Sequence, residues 1–185
     1  MKIHMVAALA FVLGVAATLL FFHFQMRLPG TRGPLLHTHN EFSFRVHAPY
    51  KVVGPLFGAE AERTWAGSEW DPHFLYPQPA QDVLGAVFLA GGANHRSVWV
   101  NTAFDLGSGH VQYAHFLKDV LVTLIDIRIS APDPATTDVH VTYERTALSP
   151  AANDRVAHFA AGDSRAGKEW SDAFAAWAAH LPANP

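Results

Sequence analysis

Between residues 39 and 147 the chain alternates. In His39–His47, Phe42, Phe44 and Val46 point one way and Glu41, Ser43, Arg45 and His47 the other. That period of two is the mark of a half-buried strand. The same reading predicts strands over Val83–Ala90, Arg96–Phe104, His110–Leu117, Leu121–Ser130 and Thr137–Ala147. Gly91-Gly92-Ala93-Asn94 and Asp105-Leu106-Gly107-Ser108-Gly109 supply turns, and Pro132-Asp133-Pro134 is expected to end its strand. Pro49 opens a short helix with Tyr50, Val53, Leu56 and Phe57 on its apolar side. Glu60–Glu69 reads as a second short helical or irregular piece, and Glu69–Pro79 as an extended one rich in aromatics and proline.

The period changes near the C-terminus. In Ser164–Leu181, Trp170, Ala173, Phe174, Trp177 and Leu181 recur at helical spacing and form one apolar face. Such a helix is about 27 Å long. Asp163 or Ser164 is the expected N-cap, and Gly162 is expected to separate it from a shorter helix opened by Ser149-Pro150. Two indoles and a phenyl on one face need a large apolar partner. The only one in the chain is the set of strands, so the expected class is α+β, a long helix on a curved antiparallel sheet.

Met5–Phe22 is an uncharged run of 18 residues, almost wholly apolar and just long enough to span a bilayer. A cleaved signal peptide is the rival reading. No Ala-x-Ala follows the run, which favours an uncleaved anchor. The expected organisation is a transmembrane anchor over residues 1–27, a Pro/Gly linker over 28–37 and a folded domain over 38–183. Lys2 on one side and Arg27 and Arg32 on the other leave the orientation open. The expected location is therefore a membrane, on an unassigned side.

The order of elements resembles the START-like helix-grip superfamily, also called SRPBCC, which includes polyketide cyclases/dehydrases and lipid-transfer proteins. The resemblance rests on four features and covers about residues 38–181. They are the first strand running into Ala48-Pro49-Tyr50-Lys51-Val52-Val53, the stretch Trp70-Asp71-Pro72, the last strand Val139-His140-Val141-Thr142-Tyr143, and the amphipathic last helix. It implies a seven-stranded sheet wrapped around that helix, with an apolar cavity between them. It implies no particular activity and no catalytic set.

Charge narrows the partners. The net charge is −3. Residues 1–33 carry only Lys2, Arg27 and Arg32, so residues 34–185 are acidic and lack a basic cluster, which argues against nucleic acid. The chain has no cysteine, hence no thiolate metal site and no cysteine nucleophile. It also lacks a phosphate-cradling glycine loop, a Gly-x-Ser-x-Gly elbow and a His-Glu-x-x-His motif. His37 and His39 would share a strand face, but the sequence offers no third metal ligand nearby, so no metal and no cofactor are expected.

The remaining candidates are ligand-binding. Trp70, Phe74, Tyr76, Phe88, Trp99, Tyr113, Tyr143, Phe174 and Trp177, with Trp65, could line a cavity, or part of them could be plain core. A buried tyrosine hydroxyl needs a partner, which a ligand could supply. His73 is the candidate acid/base or donor at the cavity mouth. Arg145, if it faces inward with Tyr143, could meet an anionic head group. These residues support three readings. The first is a membrane-tethered carrier of a hydrophobic, lipid-like or polyketide-like molecule. The second is a cyclase/dehydrase-type enzyme. The third is a filled interaction module. A perturbed titratable group inside a cavity would separate the second from the first.

Overall fold

The computed structural model describes residues 33–91 and 97–179. The chain divides into two units, Met1–Pro34 and Leu35–Pro185, and the sheet and helices belong to the second. The expected anchor lies outside the described residues. Among those residues no helix is long and apolar enough to cross a membrane.

Seven strands form one antiparallel sheet: β1 His37–Val46, β2 His73–Tyr76, β3 Val87–Ala90, β4 Ser97–Asp105, β5 His110–Leu117, β6 Leu121–Asp133 and β7 Thr136–Ala147. Their order is β1-β7-β6-β5-β4-β3-β2, so the meander from β2 to β7 is closed at one edge by the first strand. Alternation sets the faces. On β6, Leu121, Thr123, Ile125, Ile127 and Ile129 are buried; on β7, Val139, Val141, Tyr143 and Ala147 are. Asp126 and Arg128 project from the other face and pair at 2.8 Å.

Two helices complete the unit, α1 over Tyr50–Val53 and α2 over Asn153–Ala178. Helix α2 lies against β1 and, to a lesser extent, β7. Gly167 allows the close approach, since a Cβ there would sit 3.0 Å from Phe42 Cβ. One turn on, the Trp170 ring meets Phe42 edge-on with centroids 5.7 Å apart. Phe174 stacks on Phe57 at 5.3 Å and packs on Trp65 at 4.4 Å. A smaller core of Val120, Leu121, Ala147, Ala152 and Val156 holds the start of the helix.

Two expectations change. The break at Gly162 does not occur: a single helix of 26 residues runs through it, and Asp163 is interior to the helix rather than its cap. A helical glycine costs only about 1 kcal/mol relative to alanine. Burial of Val156 on one side and Phe174 on the other outweighs it. Likewise Pro132 does not end β6. The register shifts between Ser130 and Asp133, so the ladder does not require the missing N–H. Asp133 then closes the β6–β7 turn, accepting from the Ala135 N–H at 2.8 Å and the Thr136 hydroxyl at 2.6 Å.

Candidate functional site

The site starts from a turn. Gly58 has φ +126°, a conformation open to glycine, and the chain reverses there. The following residues, Ala61–Thr64, form one turn of 3-10 helix. The Asp82 carboxylate fixes its start, accepting from the N–H groups of Glu60 and Ala61 at 3.1 Å each. The Glu62 N–H donates to the Gly58 carbonyl at 2.8 Å. These bonds point the Glu62 side chain inward, where the residue is only 5% exposed.

Inside, the Tyr113 hydroxyl donates to Glu62 Oε1 at 2.7 Å. The Gly58 N–H reaches the same oxygen at 3.4 Å. Both bonds land on Oε1, so Oε2 is left for another group. Burial pushes the Glu62 carboxyl up to about 8, with Asp82 adding to the rise, while the Tyr113 and Gly58 hydrogen bonds pull the other way. At neutral pH burial holds this carboxyl mainly in its neutral form, with Oε1 accepting both bonds. Burial and the adjacent Glu62 raise the Tyr113 phenol well above its ordinary value.

Around this pair is a cavity of about 320 Å³. The turn and the stretch after it contribute Glu62, Trp65, Ala66 and Trp70; the sheet contributes Trp99, Tyr113, Ile125 and Tyr143; α2 contributes Glu169, Trp170 and Ala173. Three of the four indoles already donate their N–H to the protein. Trp65 donates to the Leu56 carbonyl at 2.8 Å, Trp70 to the Ala59 carbonyl at 2.9 Å and Trp99 to Ser97 Oγ at 2.9 Å. They therefore offer the cavity ring surface rather than donors. Trp70 and Trp99 meet edge-on at 5.5 Å and form a partition. Beyond it lies a second hollow of about 470 Å³, bordered by Glu69, His115, Arg155 and Phe159. His115 stacks on Trp99 at 4.3 Å. Burial, with Arg145 nearby, lowers its imidazole to about 4.

The sequence candidates separate into groups. Trp70, Trp99, Tyr113 and Tyr143 line the cavity, together with Trp65. Phe88 and Phe174 are fully buried core, and Phe74 stacks on Phe88 at 5.4 Å. Trp177 packs edge-on against Phe174 at 6.4 Å and does not border the cavity. His73 and Tyr76 differ from expectation. They pair with Leu89 and Val87 on the outer face of the sheet, opposite Phe74 and Phe88, and Tyr76 is 60% exposed. Strand pleat sets His73, which cannot be inward once Phe74 is, and the register shift between Phe74 and Tyr76 turns Tyr76 to the same outer face. Arg145 does face inward, but its guanidinium is engaged by Asp163 of α2 and lies 4.4 Å over the Tyr143 ring. Its charge is thus matched by the protein.

Glu62, Glu169 and Trp170 were missed as site residues. Glu62 carried a weak signal, lying four residues after Gly58 and three before Trp65, on the face that a helical turn would bury. His37 and His39 gain a neighbour from β7 that sequence could not supply. Glu144 Oε2 lies 2.8 Å from His37 Nε2, and its Oε1 lies 2.5 Å from His39 Nδ1. The three form an ion-pair cluster on the outer face. Among the described residues no group of three could hold a metal ion.

No family model and no curated protein sequence matches the chain. Solved structures match in shape. Norcoclaurine synthase from Thalictrum flavum superposes with a TM-score of 0.60 at 9% identity, covering 82% of this chain and 99% of that one. An aromatase/cyclase from a Streptomyces species gives 0.54 at 12%, covering 80% and 98%. Ara h 8.0201 gives 0.58 at 11%, covering 78% and 100%. The chain thus has the START-like helix-grip fold. At such identities the likeness concerns fold alone.

Proposed function

We propose that the domain binds an apolar, ring-bearing small molecule in the cavity between α2 and the sheet, with its polar group docked on Glu62 Oε2. One observation carries this reading: four indoles and a buried, half-engaged carboxyl share one cavity. Its volume is at the lower end of the roughly 300–1,000 Å³ range of small-molecule sites. The aromatic walls supply apolar area, worth about 25 cal/mol per Å² before the costs of ordering. Tyr143 adds a hydroxyl that makes no side-chain hydrogen bond among the described residues. Structures of the same fold include an enzyme bound to dopamine and hydroxybenzaldehyde, which supports small-molecule binding in this architecture.

Native mass spectrometry of the full chain, released from lipid nanodiscs, tests the reading. The expected result is a small-molecule adduct that Trp99→Ala and Tyr113→Ala weaken more than they lower thermal stability. Equal loss of stability with unchanged affinity would count against the cavity.

A second reading, proton-transfer chemistry of the cyclase/dehydrase kind, is favoured by Glu62 specifically. A carboxyl titrating near 8 can both give and take a proton close to neutral pH. Tyr113 is its positioning residue. In D2O the recovered ligand should take up deuterium at an acidic C–H, and Glu62→Gln should stop the uptake. Exchange unaffected by that substitution would leave binding alone.

The membrane tether enters this proposal on the sequence of residues 5–22 only. Retention of the full chain in carbonate-washed membranes is the expected result, and release into the supernatant would remove the tether.

A further inference from the structure

We infer that the cavity selects an organic amine, seating a protonated nitrogen between indole faces and Glu62 Oε2. This rests on the cavity reading and narrows its ligand class.

The charged groups around the site are lopsided. The cavity lining holds two carboxyl groups, Glu62 from the turn and Glu169 from α2, and no lysine, arginine or histidine. Asp82 lies close enough behind Glu62 to raise its titration. Of the neighbouring cations, Arg63 is engaged by Glu60 at 2.9 Å, by Asp71 at 2.5 Å and by the Pro72 carbonyl. Arg145 is engaged by Asp163. Tyr113 and Tyr143 remain, both held in their neutral forms by burial. An anionic ligand would meet carboxyl groups, and no free cation among the described lining residues would receive it.

The walls favour a cation for a separate reason. With their N–H groups donated to the protein, Trp65 and Trp70 border the cavity with ring carbons, while the Trp99 ring is stacked between Phe88 and His115. The face of an indole attracts an ammonium, and more strongly when water is excluded. A neutral alcohol of the same shape gains the apolar contacts without this attraction.

Amine binding also has a proton signature. An ammonium at Oε2 pulls Glu62 to its ionised form, and the displaced proton leaves to solvent. Below the Glu62 midpoint of about 8, binding must therefore release up to one proton, and affinity must rise with pH. A neutral ligand accepting from the Oε2 proton does the opposite, losing affinity as Glu62 ionises.

The test is calorimetric titration of the full chain in nanodiscs with three probes of one shape: 2-phenylethylamine, 2-phenylethanol and 3-phenylpropanoate. Runs at pH 6.5 use two buffers of different ionisation enthalpy, and empty nanodiscs are subtracted. The expected result is at least tenfold tighter binding of the amine than of the alcohol and no measurable binding of the carboxylate. Release should approach one proton per amine bound, with affinity rising roughly twentyfold from pH 6 to 7.5. Glu62→Gln should abolish the proton release and the amine preference. Alcohol binding as tight as amine binding, or amine binding without proton release, overturns the inference and leaves the cavity reading standing. Failure of all three probes to bind overturns the cavity reading, and this one with it.

Discussion

Glu62 lies in the 3-10 turn, its side chain buried against Tyr113 of the sheet, with one phenol and one backbone N–H for company. Glu144 lies on the outer face, between two imidazoles and in reach of water. Burial drives the first carboxyl up to about 8. The His39 hydrogen bond, followed by the His39 charge and the His37 bond, draws the second below its ordinary value. Residue type is the same and the titration is displaced in opposite directions. A cluster of His and Glu catches the eye in a sequence, yet here it is an exposed ion-pair network, whose worth to stability is small. The lone glutamate in an unremarked turn is the one whose titration burial moves toward neutral pH.

The largest effect that would sharpen this contrast is on stability against pH. A folded-state value of about 8 against an ordinary 4.5 means the folded chain holds a proton that the unfolded chain has lost. Stability from this group is complete below pH 4.5 and is lost as pH rises through 8, by about 5 kcal/mol at most. His115 acts oppositely. Its folded value of about 4 against 6.5 gives stability that is present above pH 6.5 and lost as pH falls through 4, by about 3 kcal/mol. The two slopes offset between roughly pH 4.5 and 6.5, so the Glu62 slope is seen cleanly from pH 6.5 to 8. Urea denaturation across that range should show falling stability in the native chain and a flat profile in Glu62→Gln. A flat native profile would place Glu62 in the same regime as Glu144 and end the comparison.

Next in size, His115→Asn should unmask the Glu62 slope between pH 4.5 and 6.5, raising stability at pH 4.5 relative to pH 6.5 by up to about 3 kcal/mol. An unchanged profile would mean that His115 does not titrate in that range. Tyr113→Phe should cost about 1–3 kcal/mol, because Glu62 Oε1 keeps only the long Gly58 bond. Loss of a bond that favours the charged form should also move the Glu62 midpoint further up, measurable as a shift of the falling limb. The smallest effect belongs to the outer face. Glu144→Gln should return the raised His39 titration toward 6.5, read by NMR, with no change resolvable in a denaturation curve. A large stability loss there would show that the outer cluster is more than a solvated network.

Every strand but β2, the terminal helix and the overall class were legible because period-two and period-3.6 patterns are local. Tyr143 and Arg145 were readable as inward together, and both are. His73 and Tyr76 fall on the outer face because Phe74 pairs inward with Phe88 and the register shifts before Tyr76, neither of which the proline-rich local sequence shows. The fusion of two expected helices across Gly162 was hidden for a similar reason: a glycine's local cost is visible in sequence, but the packing that outweighs it is not.

Sequence by itself determined which residues are apolar, at what spacing, and hence an antiparallel sheet gripped by an aromatic helix. It also determined that the chain has no cysteine. Tertiary structure alone decided that Glu62 would meet Tyr113, 51 residues away, in a cavity walled by indoles. It alone decided that Arg145 would be matched by Asp163 instead of remaining open to a ligand. The physical reason is that a side chain's pattern sets the face it lies on, whereas its pKa and partners depend on desolvation and on neighbours brought from distant parts of the chain.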